Sequence, residues 1–378
     1  MTRSELARDA APSSPEGAIR STLLLPLSIP YSLATRLRRR IVSARAAAVS
    51  RPVLSVGNLS CGGTGKTPTV ELLCRELSRR GLRPAIVSRG YRAHSPEGND
   101  EALLLAENLP DVPHVQDPDR VAAARRAIDA GAEAIVLDDG FQHVRLARDL
   151  DLVLLDALRP PSRDRPLPAG LLREPLSALR VADLIAWTRT ESVAKETLDR
   201  EAEAVRRWAP DVPQVRLRTR LLGLRALGSE ESLPLDGLAG RSVLAFAGVG
   251  NPESFRLELE ALGATVTAFK RFPDHHPYTL RDVEGLAQRA RAERVDAVVL
   301  TQKDAVKLRL PELRDGARAS GVPWLVLMIA QEVAEGADLW ASAIDRAIAA
   351  KAPKRSGDSD FSNPSSALSP PSSPEAPS

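Results

Sequence analysis

An α/β fold built on parallel strands follows from three features of the sequence. Short apolar, β-branched runs recur along the chain, and helical apolar patterns lie between most of them. One run passes directly into a glycine-rich turn that opens a helix. The runs are 53–56, 85–88, 134–137, 152–155 and 184–187, then 242–247, 265–269, 297–300 and 324–327. Residues 210–240 break this rhythm with an alternating run, 214–222, followed by Gly-Ser-Glu-Glu and Leu-Ala-Gly. At 378 residues the chain exceeds one average domain. The expected organisation is a larger domain at 52–209, an extended linker at 210–240 and a smaller α/β domain at 241–350. Residues 1–17 and 351–378 are polar and rich in Ser, Pro and Ala, which predicts disorder.

The balance of 52 basic and 49 acidic residues leaves a formal charge of +3, too little to imply a nucleic-acid partner. Its distribution says more. Residues 17–70 contain no Asp or Glu, yet hold Arg20, Arg36, Arg38, Arg39, Arg40, Arg45, Arg51 and Lys66. Such a block suits anionic lipid headgroups, each nearby Arg adding about 1 kcal/mol; it also fits a solvated helix face. The apolar run 23–31 contains Pro26 and Pro30 and is shorter than the ~20 residues that span a bilayer. Followed by Leu33, Leu37 and Ile41, it predicts a membrane-associated helical segment at 18–51 lying in the interface, or a helix packed on the protein itself. Residues 1–17 have no apolar core of a signal peptide. Cys61 and Cys74 are the two cysteines and lack C-x-x-C spacing, which argues against a disulfide or zinc framework and fits a reducing compartment. No obligate protein partner is evident.

The run at 53–56 leads into Gly57-Asn58-Leu59-Ser60-Cys61-Gly62-Gly63-Thr64-Gly65-Lys66-Thr67-Pro68. Glycines let successive backbone N–H groups turn inward around phosphate oxygens. Lys66 can reach the β- and γ-phosphates, and the Thr67 hydroxyl can ligate Mg²⁺. Ser60, Cys61, Gly62, Gly63, Thr64, Gly65, Lys66 and Thr67 therefore form the expected nucleotide loop, in the strand–loop–helix context a P-loop requires. Ser60 stands where the general pattern has its first Gly. Cys61 stands where partitioning ATPases carry an extra Lys that acts across a dimer. A second strand, 134–137, ends in Asp138-Asp139-Gly140-Phe141-Gln142-His143. Acids at the carboxyl end of a central parallel strand can hold Mg²⁺ beside the phosphate loop; an Asp-Gly turn would look the same.

These stretches, with Ser88-Arg89-Gly90-Tyr91-Arg92, residues 167–175, 247–252, Asp274-His275-His276-Pro277-Tyr278 and residues 301–307, occur in an order that resembles the tetraacyldisaccharide 4′-kinase family of lipid A biosynthesis. The resemblance covers residues 25–348. It implies a P-loop NTPase-type parallel sheet domain, a smaller C-terminal α/β domain, a cleft active site between them and an N-terminal segment docked on the cytoplasmic face of the inner membrane. It implies ATP and Mg²⁺ as cofactors, and a lipid-linked disaccharide 1-phosphate as the acceptor whose 4′-hydroxyl is phosphorylated to give lipid IVA. The family's catalytic Asp and His map to Asp100 and His275. The match at Asp100 departs from the family's usual Gly-Asp-Glu, reading Gly98-Asn99-Asp100-Glu101, and the segment before it is shorter than usual. Tyr91, Glu101, Arg120, His143, Arg173 and Glu174 are candidates to bind the acceptor.

Phosphoryl transfer needs positioning and charge neutralisation. Lys66 serves the transferring group, Asp100 is the candidate base and His275 its orienting partner. Read from the residues alone, Asp274-His275-His276-Pro277 is first a turn feeding a helix capped by Thr279 and Asp282, and only the resemblance makes it catalytic; Arg173 and Glu174 could simply pair with each other. A P-loop GTPase or ATPase switch at the membrane is the rival reading, although Thr301-Gln302-Lys303-Asp304 places Lys one position late for a guanine-reading [NT]-K-x-D. A non-enzymatic membrane protein that binds nucleotide only to dock is a second rival. Glu253 occupies the third Gly position of a dinucleotide pattern starting at Gly248.

Overall fold

The computed structural model describes residues 15–90, 99–229 and 231–351. Its strands are, in chain order, β1 (Val53–Asn58), β2 (Pro84–Ser88), β3 (His114–Gln116), β4 (Ala134–Asp138), β5 (Leu150–Asp156), β6 (Leu184–Thr188), β7 (Gln214–Ala226), β8 (Ser232–Leu233), β9 (Ser242–Ala247), β10 (Thr265–Arg271), β11 (Ala297–Thr301) and β12 (Trp324–Glu335). The helices are α1 (Pro15–Ser43), α2 (Lys66–Arg79), α3 (Asp100–Asn108), α4 (Arg120–Asp129), α5 (Lys195–Arg206), α6 (Pro252–Ala261), α7 (Leu280–Ala292), α8 (Gln302–Ala305), α9 (Pro311–Arg318) and α10 (Ala337–Ala349). All twelve strands join one sheet, in the order β10-β9-β11-β12-β7-β6-β5-β1-β4-β2-β3, with β8 on β7. Every pairing is parallel except β12 with β7 and β7 with β8.

The apolar runs form buried parallel strands because helices cover both faces. β1 sits between β4 and β5, with Val56 in register with Asp138. Its Leu54 and Val56 pack in one cluster with Val70, Leu73, Cys74 and Leu77 of α2. On the far side of the sheet, Leu244 and Phe246 of β9 meet Val283, Leu286 and Ala287 of α7.

The segment read as an extended linker holds a 13-residue strand instead. β7 pairs with β6 at 214–216 and then runs antiparallel to β12 up to Ala226. The alternation that looked like a loop with a short run buries Val215, Leu217 and Leu224 while exposing Arg218. A second correction concerns α10. It follows the smaller unit in sequence, yet Trp340, Ala343, Ile344 and Ala347 join the cluster around β1 and α2. A helix with a buried stripe of that width goes wherever an uncovered apolar face remains.

α1 runs unbroken through Pro26 and Pro30, both exposed. Its two faces are inverted relative to an ordinary surface helix. Leu25, Ile29, Leu33, Leu37 and Ile41 recur every four residues and are exposed, Ile29 by 64%. Ser28, Tyr31, Thr35 and Arg39 fall on the opposite face, where Ser28, Tyr31 and Arg39 contact the protein. No helix among the described residues is long and apolar enough to cross a membrane.

Candidate functional site

The carboxyl ends of β1, β4 and β6 converge, as the topology of parallel sheets leads one to expect for a ligand site. The loop after β1 is held from three sides. Cys61 N donates to Leu171 O at 2.8 Å, and Thr188 Oγ1 donates to Thr64 O at 3.0 Å. Arg189 donates to Gly63 O at 2.7 Å while pairing with Asp156 at 2.5 Å. Gly65, at the N-cap of α2, has φ 82°, the left-handed region open to glycine at little cost. Ser60, Cys61, Gly62, Gly63 and Thr64 thus form a preshaped turn that delivers Lys66 and Thr67 as the first two residues of α2. The positive end of that helix faces the same space.

Asp138 ends β4 and is buried; its Oδ1 has no hydrogen-bond partner. Burial, reinforced by the charge of Glu101, pushes its carboxyl up to about 7 against the pull of Lys66. Asp139 follows at φ 52°, a strained setting for a non-glycine residue. Its carboxylate lies 3.5 Å from Lys66 Nζ and 3.2 Å from Arg173 Nη1. Burial opposes ionisation there, but Lys66 and Arg173 outweigh it and hold the group below the ordinary carboxylate range.

Asp100 opens α3, just after Asn99, whose side chain accepts from Ala102 N. His275 lies in the turn after β10, at φ 63°. His275 Nδ1 donates to Asp100 at 2.9 and 2.8 Å. Lys303, one residue into α8, bonds Asp274 at 2.9 Å and lies 3.8 Å from Asp100. Burial pushes the Asp100 carboxyl up, yet the hydrogen bond from His275 and the charge of Lys303 bring it down to about 2. His276 turns away, 3.2 Å from Asp282 and stacked on Phe272, beside the Thr279–Asp282 capping box.

One cavity of about 830 Å³ brings these groups together. Its walls include Cys61, Gly62, Gly63, Lys66, Asp100, Glu101, Arg120, Asp138, Asp139, Arg173, His275 and Lys303. Arg120 is buried and bonds His143 Nδ1 at 3.0 Å, its Nε without a partner. Burial, then the positive charge of Arg120, depress His143 to about 4, so it stays neutral. Arg173 and Glu174 do not pair with each other. Arg173 faces Asp139, and Glu174 takes Arg39 of α1 at 2.8 Å. Tyr91 lies outside the described residues.

A family profile described as Tetraacyldisaccharide-1-P 4′-kinase matches residues 20–349. Tetraacyldisaccharide 4′-kinase of Anaeromyxobacter sp. strain K is 39% identical over 366 residues, 89% of this chain and 93% of the relative. The protein of that name from Geobacter metallireducens is 40% identical over 307 residues, 76% of this chain and 88% of its own. The chain belongs to the tetraacyldisaccharide-1-P 4′-kinase family. The crystal structure of LpxK from Aquifex aeolicus in complex with ATP is similar at 29% identity and a TM-score of 0.67, over 87% of this chain and 99% of that one.

Membership in this kinase family sets the switch-protein reading aside, and the geometry agrees. Asp304 is fully buried, accepting from Gly248 N, Tyr278 and Thr301, so Thr301-Gln302-Lys303-Asp304 is a capped turn turned inward. Two residues at the site of this kinase, Arg189 and Arg39, carried no motif signal of their own, and Lys303 stood in a motif stretch without being read as a neighbour of Asp100. Lys303 and Arg189 lie far from the phosphate loop in sequence, and Arg39 was legible only as one of a basic run.

Proposed function

We propose that this chain transfers the γ-phosphoryl group of ATP to the 4′-hydroxyl of a tetraacyldisaccharide 1-phosphate, giving lipid IVA, at the cytoplasmic face of the inner membrane. The observation that carries the reading is the placement of Asp100 and His275 in one cavity with Lys66, Asp138 and Asp139. A base for a hydroxyl and a cradle for phosphates then share one space. Asp100, at the start of α3, and His275, in the turn after β10, come from widely separated stretches of the chain to meet there.

The acceptor oxygen forms a bond to the γ-phosphorus as the bond to the ADP oxygen breaks. Asp100 accepts the hydroxyl proton late, when the oxygen is already acidified, so a carboxylate with a pKa of about 2 suffices in a loose transition state. His275 fixes the carboxylate's orientation and, being partly exposed, can pass the proton to solvent. Lys66 and the loop N–H groups neutralise the phosphates, and buried Arg120 adds charge where an anionic group enters.

The donor set fits Mg²⁺. Asp138 Oδ1 is a buried oxygen without a partner, Asp139 follows it in the chain and shares its cavity with Lys66, and Thr67 is the next residue of α2; Mg²⁺ is commonly held by one or two carboxylates plus substrate phosphates. When bound, the ion supplies charge neutralisation on the transferring phosphates.

The exposed stripe of α1, flanked by exposed Arg36, Arg40 and Arg45, is read as the membrane-docking face. Incubation with γ-labelled ATP, Mg²⁺ and the tetraacyldisaccharide 1-phosphate tests the proposal. Label at the 4′ position is expected; label released only as inorganic phosphate rejects it.

A further inference from the structure

Helix α1 meets the rest of the protein through one face, and its contacts fall on the two loops that frame the phosphate site. Tyr31 OH donates to Arg173 O at 3.0 Å, and Ser28 Oγ donates to Pro166 O at 2.9 Å. The strongest contact is Arg39. Its Nε and Nη2 each donate to an oxygen of Glu174 at 2.8 Å. Nη2 also donates to Phe141 O at 2.7 Å, and the guanidinium stacks 4.1 Å from the centre of the Phe141 ring. Both side chains of the pair are shielded, 13% and 7% exposed, so solvent screens the contact little.

Each partner of Arg39 is one step from the phosphate site. Glu174 adjoins Arg173, which pairs with Asp139. Phe141 belongs to the Asp138-Asp139 turn and is fully buried against the start of the phosphate loop. A Cβ at Gly57 would fall 2.5 Å from the Phe141 Cβ, so the two backbones are in direct contact. A bidentate pair fixes direction as well as distance.

We propose that Arg39 is a positioning residue for phosphoryl transfer. It holds the 138–142 turn and the 173–174 segment in register with each other, so that the lipid-facing helix and the Asp139–Arg173 pair behave as one unit. The proposal rests on the phosphate site described under Proposed function. Arg39 touches Phe141 and Glu174 and acts on the reacting groups only through them. Displacement of α1 is therefore felt at Asp139.

The test uses the full chain with Arg39→Met, which keeps an apolar stem on Phe141 and removes the fork. It also uses Arg39→Met/Glu174→Gln, which removes the carboxylate charge left unpaired by the single change. Arg39→Lys keeps the charge without the bidentate geometry. Measured are kcat, KM for ATP, half-saturating Mg²⁺, melting temperature and binding to anionic vesicles. Expected is a fall in kcat of at least tenfold in all three variants, a severalfold rise in half-saturating Mg²⁺ and little change in KM for ATP. Vesicle binding should stay within twofold of wild type. The double variant should melt normally and still be slow. Recovery of kcat in the double variant once its melting temperature recovers, or a loss wholly cured by excess vesicles, would reduce Arg39 to an anchor of the helix and overturn the proposal. Lys66→Ala is run alongside. If it transfers phosphate normally, the phosphate-site reading itself fails, and the Arg39 proposal with it.

Discussion

Lys66 Nζ lies 3.5 Å from Asp139 Oδ1, an ion pair between the first residue of the phosphate-loop helix and the turn after a neighbouring strand. On its other side Asp139 meets Arg173 at 3.2 Å. Lys66 is thus held in place before any nucleotide arrives, and its removal costs both a phosphate contact and the balance of charge at Asp139.

Lys66→Ala should therefore lower kcat/KM by at least 10² and leave Asp139 with Arg173 as its sole cationic neighbour within salt-bridge range among the described residues. Thr67→Ala should act in the same direction and raise the Mg²⁺ requirement. Steady-state kinetics across a Mg²⁺ titration check both. A folded Lys66→Ala protein with near-normal turnover would contradict the assignment of the loop.

Asp138 gives a prediction on stability. Its folded pKa, raised to about 7 by burial, exceeds the ordinary carboxylate value, so the native state binds a proton more readily than the unfolded chain. Ionisation at pH 8 therefore destabilises the metal-free protein, and that cost fades as pH falls below 7. Asp138→Asn should raise the melting temperature by a few degrees at pH 8 in EDTA and by much less at pH 5, while abolishing Mg²⁺-dependent transfer. Thermal scans at the two pH values suffice; equal shifts at both would show that the buried charge is not the cause.

Helix α1 predicts salt-sensitive binding to anionic vesicles. Arg36→Ala/Arg40→Ala should weaken it by about 1 kcal/mol per arginine, a factor of roughly five each, and the wild-type affinity should fall as salt rises. Leu33→Ser/Leu37→Ser should weaken binding to neutral and anionic vesicles alike, because it removes apolar area. Co-sedimentation measures all of these. Indifference of the wild-type protein to lipid charge would remove the electrostatic half of the docking reading.

Much of this was legible in the sequence. The strand–glycine turn–helix at 53–79 is a local pattern, and local chemistry fixes it. The acids at 138–139 read as either metal ligands or a turn, and the structure makes them both a turn and a pair facing Lys66. What was not legible depends on distant chain segments. β7 looked like a linker because its alternating side chains suit a half-exposed strand whose partner, β12, lies about a hundred residues later. β3 and β8 are three and two residues long, too short for any periodicity. Glu174 could have paired with its neighbour Arg173 and does not, because Arg39 reaches it from 135 residues away.

Asp100 and His275 are where phosphoryl transfer to a hydroxyl stands or falls. With His275 Nδ1 at 2.8 Å from Asp100, the two act as one unit. Asp100→Ala and His275→Ala should each lower kcat by about 10²–10⁴ with little change in ATP affinity. The measurement is kcat for transfer to the lipid disaccharide in both single variants and the double variant. The double variant should lose far less than the product of the single losses. Losses that multiply, or full kcat in Asp100→Ala, would place the base elsewhere and contradict the assignment of the dyad.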